Sequence, residues 1–350
     1  MTDTQLSRIG GINLAAGAAP NFSEANFALF LKKFAGEVLL QYHKRTVFGT
    51  RHRQRMLGAG AKSAQFPVIG TASASYHKPG ENLLDPANGY LSEIKSAEKV
   101  ISIDHVLQSS RVIAEIDELI SHFDVRGPYA MELGKALAEA FDGNVARQII
   151  KAARSAETIT GSEVGGGFNV TDANLATANA AGATALETAL WTAAETFETK
   201  NQDPTEAVCV VAPDHYYNFL KEKPVYVDRD FTDSNGGLDS GRIARVAGIP
   251  IVKSTNMPTA NEGTGVGGTA PALDPTAQRN VYQDDFSVTK GVIFRPDAVG
   301  TVKRMDLTME GEYRIELQGH LMVAKQLTGT GVLRPEAACE LRTAAPEAQA

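Results

Sequence analysis

Between Lys62 and Asp104 the sequence writes two strands and supplies almost nothing for them to bury. Ala64–Thr71 has strand character, and Ala72-Ser73-Ala74-Ser75 alternates small and polar residues. Lys78-Pro79-Gly80-Glu81-Asn82 is turn-rich, and Ile94–Asp104 returns as a second strand. The span between the strands is longer than a compact domain usually tolerates, and a two-stranded ribbon alone is marginal in water. The expectation is a long hairpin arm stabilised by a neighbouring subunit.

Charge is sorted around the same segment. Val38–Gly80 contains no Asp or Glu but carries Lys44, Arg45, Arg51, Arg53, Arg55, Lys62 and Lys78. From Glu81 to Asp124 the balance reverses, with Glu81, Glu115, Asp117 and Glu118 among the acids. A chain arranged this way is attracted to a copy of itself or to nucleic acid.

Composition narrows the choice. At 350 residues the chain can bury a sizeable core, and its net charge of −7 argues against coating nucleic acid over the whole surface. Cys209 and Cys339 stand alone, without CxxC or a nearby His at ligand spacing. That predicts neither a disulfide framework nor a zinc site, and fits a reducing compartment. The apolar runs fall far short of the ~20 residues a membrane span needs. The N-terminus lacks a basic region followed by an apolar core, so no signal peptide is expected. The expected product is soluble and intracellular.

Along the chain, residues 1–20 read as an aperiodic arm. Asn21 and Glu24 then resemble a capping box before a stripe of Phe27, Phe30, Leu31, Phe34 and Val38. A second amphipathic helix is predicted from Val112, Ile113, Ile116, Leu119, Ile120 and Phe123. A third runs from Pro128 to Arg154 with Leu133, Leu137, Phe141, Val145 and Ile149 on one face. It would be roughly 35–40 Å long, a structural spine. Thr171–Lys200 is an Ala-rich helical segment, Ala207–Ala212 and Ile249–Lys253 are strands, and Pro213–Leu220 is a short helix. Residues 257–278 form a Pro/Gly/Thr-rich loop. From Gly291 the pattern is β: Val292–Phe294, Val299–Arg304, and an alternation at Tyr313, Ile315 and Leu317. The class is α+β with a discontinuous layout.

Motifs for chemistry fail on context. Gly263, Gly265 and Gly268 spell GxGxxG, yet Pro271 and Pro275 follow where a phosphate-binding helix would have to open. No two of the seven histidines stand four residues apart, so no metalloprotease pair exists. Glu115, Asp117 and Glu118 lie off the apolar stripe of their predicted helix and read as a solvated or partner-facing surface, not an acid/base cluster. Neither cysteine has an activating context, and no GxSxG elbow occurs. The chain is expected to be no enzyme, with no cofactor and no metal. The basic run His43–Arg55, interleaved with Phe48, is the one functional candidate; it lacks any DNA- or RNA-binding module, which favours self-assembly over sequence reading.

Several segments carry a resemblance: LFLKKFAGEVLLQY, KSAQFPVIG, PGENL, EKVISIDHVL, SHFDVRGPY, AVGTVKRMDLTME and, most specifically, GHLMVAKQLTGTGVLRPEAA. From about Phe27 to Ala338 the sequence is similar to the major capsid proteins of short-tailed, autographivirus-type (podovirus) double-stranded DNA phages. The resemblance implies the Hong Kong 97-type capsid fold. Its parts would be an N-terminal arm (1–56), an extended loop (57–104), a peripheral domain with the spine helix (105–171), an axial domain (172–289), and a peripheral return with a C-terminal tail (290–350). It implies a virion subunit, assembled in the host bacterial cytoplasm into pentamers and hexamers of an icosahedral head around packaged double-stranded DNA. A scaffolding protein and a portal protein are implied as partners, and no membrane. Lys78 and Asn82 are not expected to cross-link, because relatives of this type do not. Residues 1–26, 258–278 and the tail after Leu341 match nothing in the pattern.

The interface expected from the charge sorting comprises Arg51, Arg53, Arg55, Lys62, Phe66 and Lys78 on the basic side, and Glu81, Glu115, Asp117 and Glu118 on the acidic side. Such pairs give register and association rate more than affinity, while Phe66 and the Phe27–Val38 stripe would add apolar contact. Competing readings are an encapsulin-like compartment, a nucleotide-binding or hydrolytic enzyme, and a free DNA-binding regulator.

Overall fold

The computed structural model describes residues 37–43, 45–58, 60–85, 90–91, 94–114, 116, 126–159, 165–223, 245–262 and 282–345. The Phe27–Phe34 part of the N-terminal stripe and the GxGxxG glycines lie outside these residues. Two compact units emerge: Met1–Thr46 with Asp104–Phe141 and Arg304–Thr328, and Val47–Ile103 with Asp142–Lys303 and Gly329–Ala350.

In the first unit, strand β4 (Leu107–Ala114) pairs antiparallel with β10 (Gly319–Val332), Ala114 opposite Gly319 and Leu107 opposite Gln326. This corrects the helix predicted from Val112 and Ile113. Both residues are β-branched, and ladder pairing with β10 decides their conformation against a helical spacing shared with residues further on. Of the rest of that stripe only Ile116 is described, and it is helical. Strand β9 (Val299–Arg314) runs well past the predicted end at Arg304. The alternation at Tyr313, Ile315 and Leu317 is not strand throughout: Ile315–Leu317 forms one 3-10 turn, closed by Gln318 at φ 44°. The chain has to reverse there to return as β10, and all three apolar side chains are left exposed.

Helix α1 (Arg126–Arg154) is the predicted spine, 29 residues and about 43 Å at 1.5 Å per residue. Leu133, Leu137, Phe141, Val145 and Ile149 are all buried. Fully burying such side chains stabilises by about 1.5–3 kcal/mol each. The helical residues 37–43 bury Val38 and Tyr42, and Gly134 of α1 admits the Val38 carbonyl where a Cβ would collide.

The second unit is built on a five-stranded sheet ordered β5-β11-β8-β6-β7: β5 (Phe168–Thr171), β6 (Val208–Val211), β7 (Ile251–Lys253), β8 (Thr289–Phe294) and β11 (Ala338–Arg342). Helix α2 (Ala180–Thr199) is capped by Asn179, whose side chain accepts from the Gly182 N–H at 2.9 Å. It packs Leu186, Leu190 and Phe197 into a core with Val211, Ile251 and Ile293. Helix α3 (Pro213–Glu222) adds Tyr216 and Phe219, with Pro213 in its first turn. Cys209 and Cys339 both sit opposite Ile293, on either side of β8. Two strand spacings, about 9.5 Å, separate them, beyond the ~7 Å a disulfide can bridge.

Strand β1 (Arg53–Met56) lies parallel to the start of β9, Arg53 opposite Gly300. Strands β2 (Ser63–Ile69) and β3 (Ser96–Ser102) pair antiparallel with one another and, among the described residues, with no other strand, Ser63 opposite Ser102 and Ile69 opposite Ser96. The predicted hairpin is therefore present: β2 opens one residue before its expected start and ends two residues early, and β3 falls two residues short at each end.

Candidate assembly interface

At its root the hairpin alternates faces. Ala64, Val68 and Ile101 are buried while their neighbours are exposed or half-buried. Further out the alternation ceases. Gly70 N–H still donates to the Lys95 carbonyl at 2.9 Å, and every residue from Thr71 to Gly80 is exposed. The distal part is ordered by a small polar cluster. The His77 ring lies 5.1 Å from the Tyr90 ring and its Nε2 is 2.9 Å from the Glu81 carbonyl. Lys78 N–H donates to the Tyr90 hydroxyl at 3.1 Å, and that hydroxyl donates to the Glu81 carboxylate. Along the same arm Ile69, Tyr76, Leu83, Leu84, Leu91 and Ile94 stand exposed, Tyr76 completely and Leu84 at 72%. A run of exposed apolar side chains on an ordered arm marks a contact surface. Sequence reasoning named only Phe66 here. The signal it passed over was apolar residues placed in a turn-rich stretch with no periodicity to bury them.

The basic residues are placed differently from one another. Arg51 donates from Nη1 to the Val47 carbonyl at 2.8 Å. Arg53 Nε pairs with Asp297 Oδ1 at 2.5 Å, largely in solvent. Arg55 donates from Nη1 to the Gln65 carbonyl at 3.1 Å and lies 5.8 Å over the Phe66 ring. Lys62 has an exposed side chain, and its carbonyl accepts from Ile103 N–H at 3.0 Å. Lys78 Nζ stands 3.7 Å from Glu81 Oε1. The structure thus brings Arg55 to Phe66 and Lys78 to Glu81 within one chain. Glu115, Asp117 and Glu118 lie outside the described residues.

Two buried ionisable groups that sequence reasoning missed fasten the segment leading into β1. The Asp142 carboxylate on α1 accepts from Val47 N–H at 2.6 Å, Phe48 N–H at 3.4 Å and Asn256 Nδ2 at 3.2 Å. Burial pushes its pKa up to about 6 despite those donors. His52 sits 2.7 Å from the Phe48 carbonyl through Nδ1 and 2.7 Å from Thr301 Oγ1 through Nε2. Burial lowers its pKa to about 4, so it is neutral at pH 7. Between them Phe48 is fully buried, stacked 5.7 Å from Phe294. Elsewhere, Arg154 makes a bidentate pair with the fully buried Glu340, at 2.8 and 2.6 Å, and Arg147 does the same with Glu262 at 2.7 and 2.6 Å. These clusters lie inside the body and serve the fold. Among the described residues no group of three or more His, Cys, Asp or Glu is placed to hold a metal, and no helix is long and apolar enough to cross a membrane.

An α+β chain with a 29-residue spine helix and a self-paired two-stranded hairpin has the make-up of a shell-building subunit of the Hong Kong 97 type. Residues 65–342 match the family model described as Gp10A-like major capsid protein, and the chain belongs to that family. It is 34% identical over 327 residues to the major capsid protein of Escherichia phage T7, covering 89% of this chain and 90% of that one. The capsid structure of cyanophage P-SCSP1u superposes with a TM-score of 0.67 at 34% identity, over 98% of this chain and 99% of that one. The mature capsid of bacteriophage PhiM1 shares the fold, with a TM-score of 0.64 at 22% identity over 85% of this chain and 87% of that one. The chain is a structural subunit of a phage head, a component of the virion.

Proposed function

We propose that the subunit assembles into pentamers and hexamers of an icosahedral head that encloses double-stranded DNA, and that the β2–β3 hairpin carries the contact to the adjacent copy. Assembly takes place in the host cytoplasm with a scaffolding protein and a portal protein. The subunit contacts DNA non-specifically and performs no chemistry. The arm, extended loop, peripheral domain and axial domain follow the boundaries given by the resemblance. The observation that carries this reading is the hairpin itself, whose two strands pair with one another and whose described residues expose seven large apolar side chains, Val100 of β3 among them. The solved capsid of the cyanophage relative supports it. The charged interface of Arg51, Arg53, Arg55, Lys62, Lys78, Glu81, Glu115, Asp117 and Glu118, with Phe66 among them, is part of the proposal. It supplies register between copies.

Negative-stain microscopy of the purified protein, alone and with a candidate scaffolding protein, tests the reading. Closed shells or sheets of fivefold and sixfold rings are the expected outcome. Persistent monodisperse monomers under both conditions would sink it. Reversing Arg53 and Arg55 to Glu is expected to block shell formation while leaving the monomer folded; normal shells from that variant would remove the charge register from the proposal.

A further inference from the structure

The hairpin leaves the body over a seat made of glycines. Gly300 of β9 and Gly329 and Gly331 of β10 lie against Ile101, Ser102 and Ile103 at the root of β3. A Cβ on Gly329 would overlap the Ser102 carbonyl oxygen and meet Ile103 Cα at 3.0 Å. On Gly331 it would meet Ile101 Cγ1 at 3.0 Å. On Gly300 it would meet Leu333 Cδ1 at 2.7 Å and Ile101 Cδ1 at 3.4 Å. None of the three has a left-handed backbone, so conformational freedom is not what requires glycine here. What requires it is the absence of a side chain, which lets the root of the hairpin lie directly on the sheet. From β1, the parallel neighbour of β9, Arg55 holds the hairpin at a second point, through the Gln65 carbonyl and the face of Phe66. Ile103 N–H to the Lys62 carbonyl, at 3.0 Å, closes the pair at its base.

We infer that the hairpin is aimed within the subunit, by the Gly300/Gly329/Gly331 seat and the Arg55–Phe66 clasp, before it meets a second copy of this chain. This rests on the proposal that the hairpin contacts that copy. It gives Arg55 and Phe66 a positioning role inside one subunit, where the charge pattern alone suggests a direct contact between two. Geometry makes the aim consequential. Each strand has seven residues, which at about 3.3 Å per residue is roughly 23 Å of lever. Restoring ordinary contact under a new methyl at Gly329 moves the root by about 1 Å or more. That displacement grows along the arm and carries Tyr76, Leu83 and Leu84 off their target, and an association that needs several contacts at once fails when geometry forbids simultaneous engagement.

The test uses the full chain as the unassembled subunit, spin-labelled at Ala74→Cys on the arm and Glu195→Cys on α2. Cys209 and Cys339 are buried and do not take label. Electron–electron resonance reads the distance between the labels, and microscopy reads shell formation. A single narrow distance is expected in the parent protein. Arg55→Ala should broaden it, Gly329→Ala should shift it, and both should lose shells. Gly331→Ala, which faces only a movable Ile101 side chain, should do least. Should Gly329→Ala fail to fold, Arg55→Ala, a change at an exposed side chain, decides alone. A broad distance distribution in the parent protein, or normal distances and shells in Arg55→Ala, would overturn the inference. Failure of the parent chain to form shells would instead overturn the proposed function, and the distances would still report on the seat.

Discussion

The five-stranded sheet with its two helices and the β2–β3 hairpin belong to the same compact unit, and they treat apolar side chains in opposite ways. Around the sheet, Leu190, Phe197, Phe219 and Ile293 are fully buried. On the distal hairpin Tyr76, Leu83, Leu84 and Leu91 face solvent. Apolar burial is the main favourable term of folding, so the first set holds the subunit together. The second set contributes nothing to the isolated fold, and in the proposed assembly it is the surface that meets the adjacent copy. The comparison separates two kinds of lesion: sheet lesions should be read in stability, hairpin lesions in assembly.

The largest effect is expected at the core. Phe197→Ala should cost about 3–5 kcal/mol in chemical denaturation of the unassembled subunit, because a fully buried ring leaves a cavity. Glu340→Ala should cost a similar amount, about 3–5 kcal/mol, since it strands Arg154 next to Asp284 without its bidentate partner. A loss below about 1 kcal/mol for either would show that the sheet core is not where the stability resides.

Next comes the pH response of the segment between Val47 and His52. The folded state holds the Asp142 proton up to about pH 6, whereas the unfolded chain releases it near 3.8. Folded protein therefore binds more protons in that window, and this group's contribution makes stability fall as pH rises through it. His52 runs the other way. It titrates near 6.5 when unfolded and at about 4 when folded, so its contribution falls as pH drops from 6.5 to 4. Each amounts to about 3 kcal/mol across its window, and the two nearly cancel. His52→Gln should expose the Asp142 slope, with stability rising by about 3 kcal/mol from pH 6.5 to 4 relative to the parent protein. Parallel pH profiles for the two proteins would refute the opposition.

At the hairpin, Leu84→Asp should leave denaturation within about 0.5 kcal/mol of the parent protein, as exposed substitutions do, yet abolish shells under the microscope. Loss of stability instead would place Leu84 in the subunit's own core. The smallest effect is chemical. Cys209, its pKa pushed up to about 12 by burial, and Cys339, raised by the same cause, should both resist thiol reagents until the sheet unfolds.

Legibility in the sequence followed how local each cause was. The spine helix could be read from Leu133, Leu137, Phe141, Val145 and Ile149 because a 3.6-residue period persists through its whole length. The hairpin could be read because turn residues bracket two β-prone runs. The helix expected from Val112 failed because the stripe joined residues of a strand to residues beyond it, and only pairing with β10 tells them apart. Gln318 as the left-handed residue of the β9–β10 turn has no local signature comparable to glycine. Asp142 gave no sign of its role, since its partners at Val47 and Phe48 lie about 95 residues away in sequence. The apolar surface of the arm is written in plain letters but carries no period, so no helix or strand face announces it.

By itself the sequence determined the class, the spine, the existence of a self-paired arm and, through its motifs, membership of a capsid family. Those are properties of composition and of short-range order, which a chain carries before it folds. Only the tertiary structure decided that Arg55 closes on Phe66 and Lys78 on Glu81 within one subunit, and that three glycines far from the arm in sequence form its seat. Charge patterning specifies that opposite signs attract; it does not specify which chain supplies the partner, because that depends on distances set by packing.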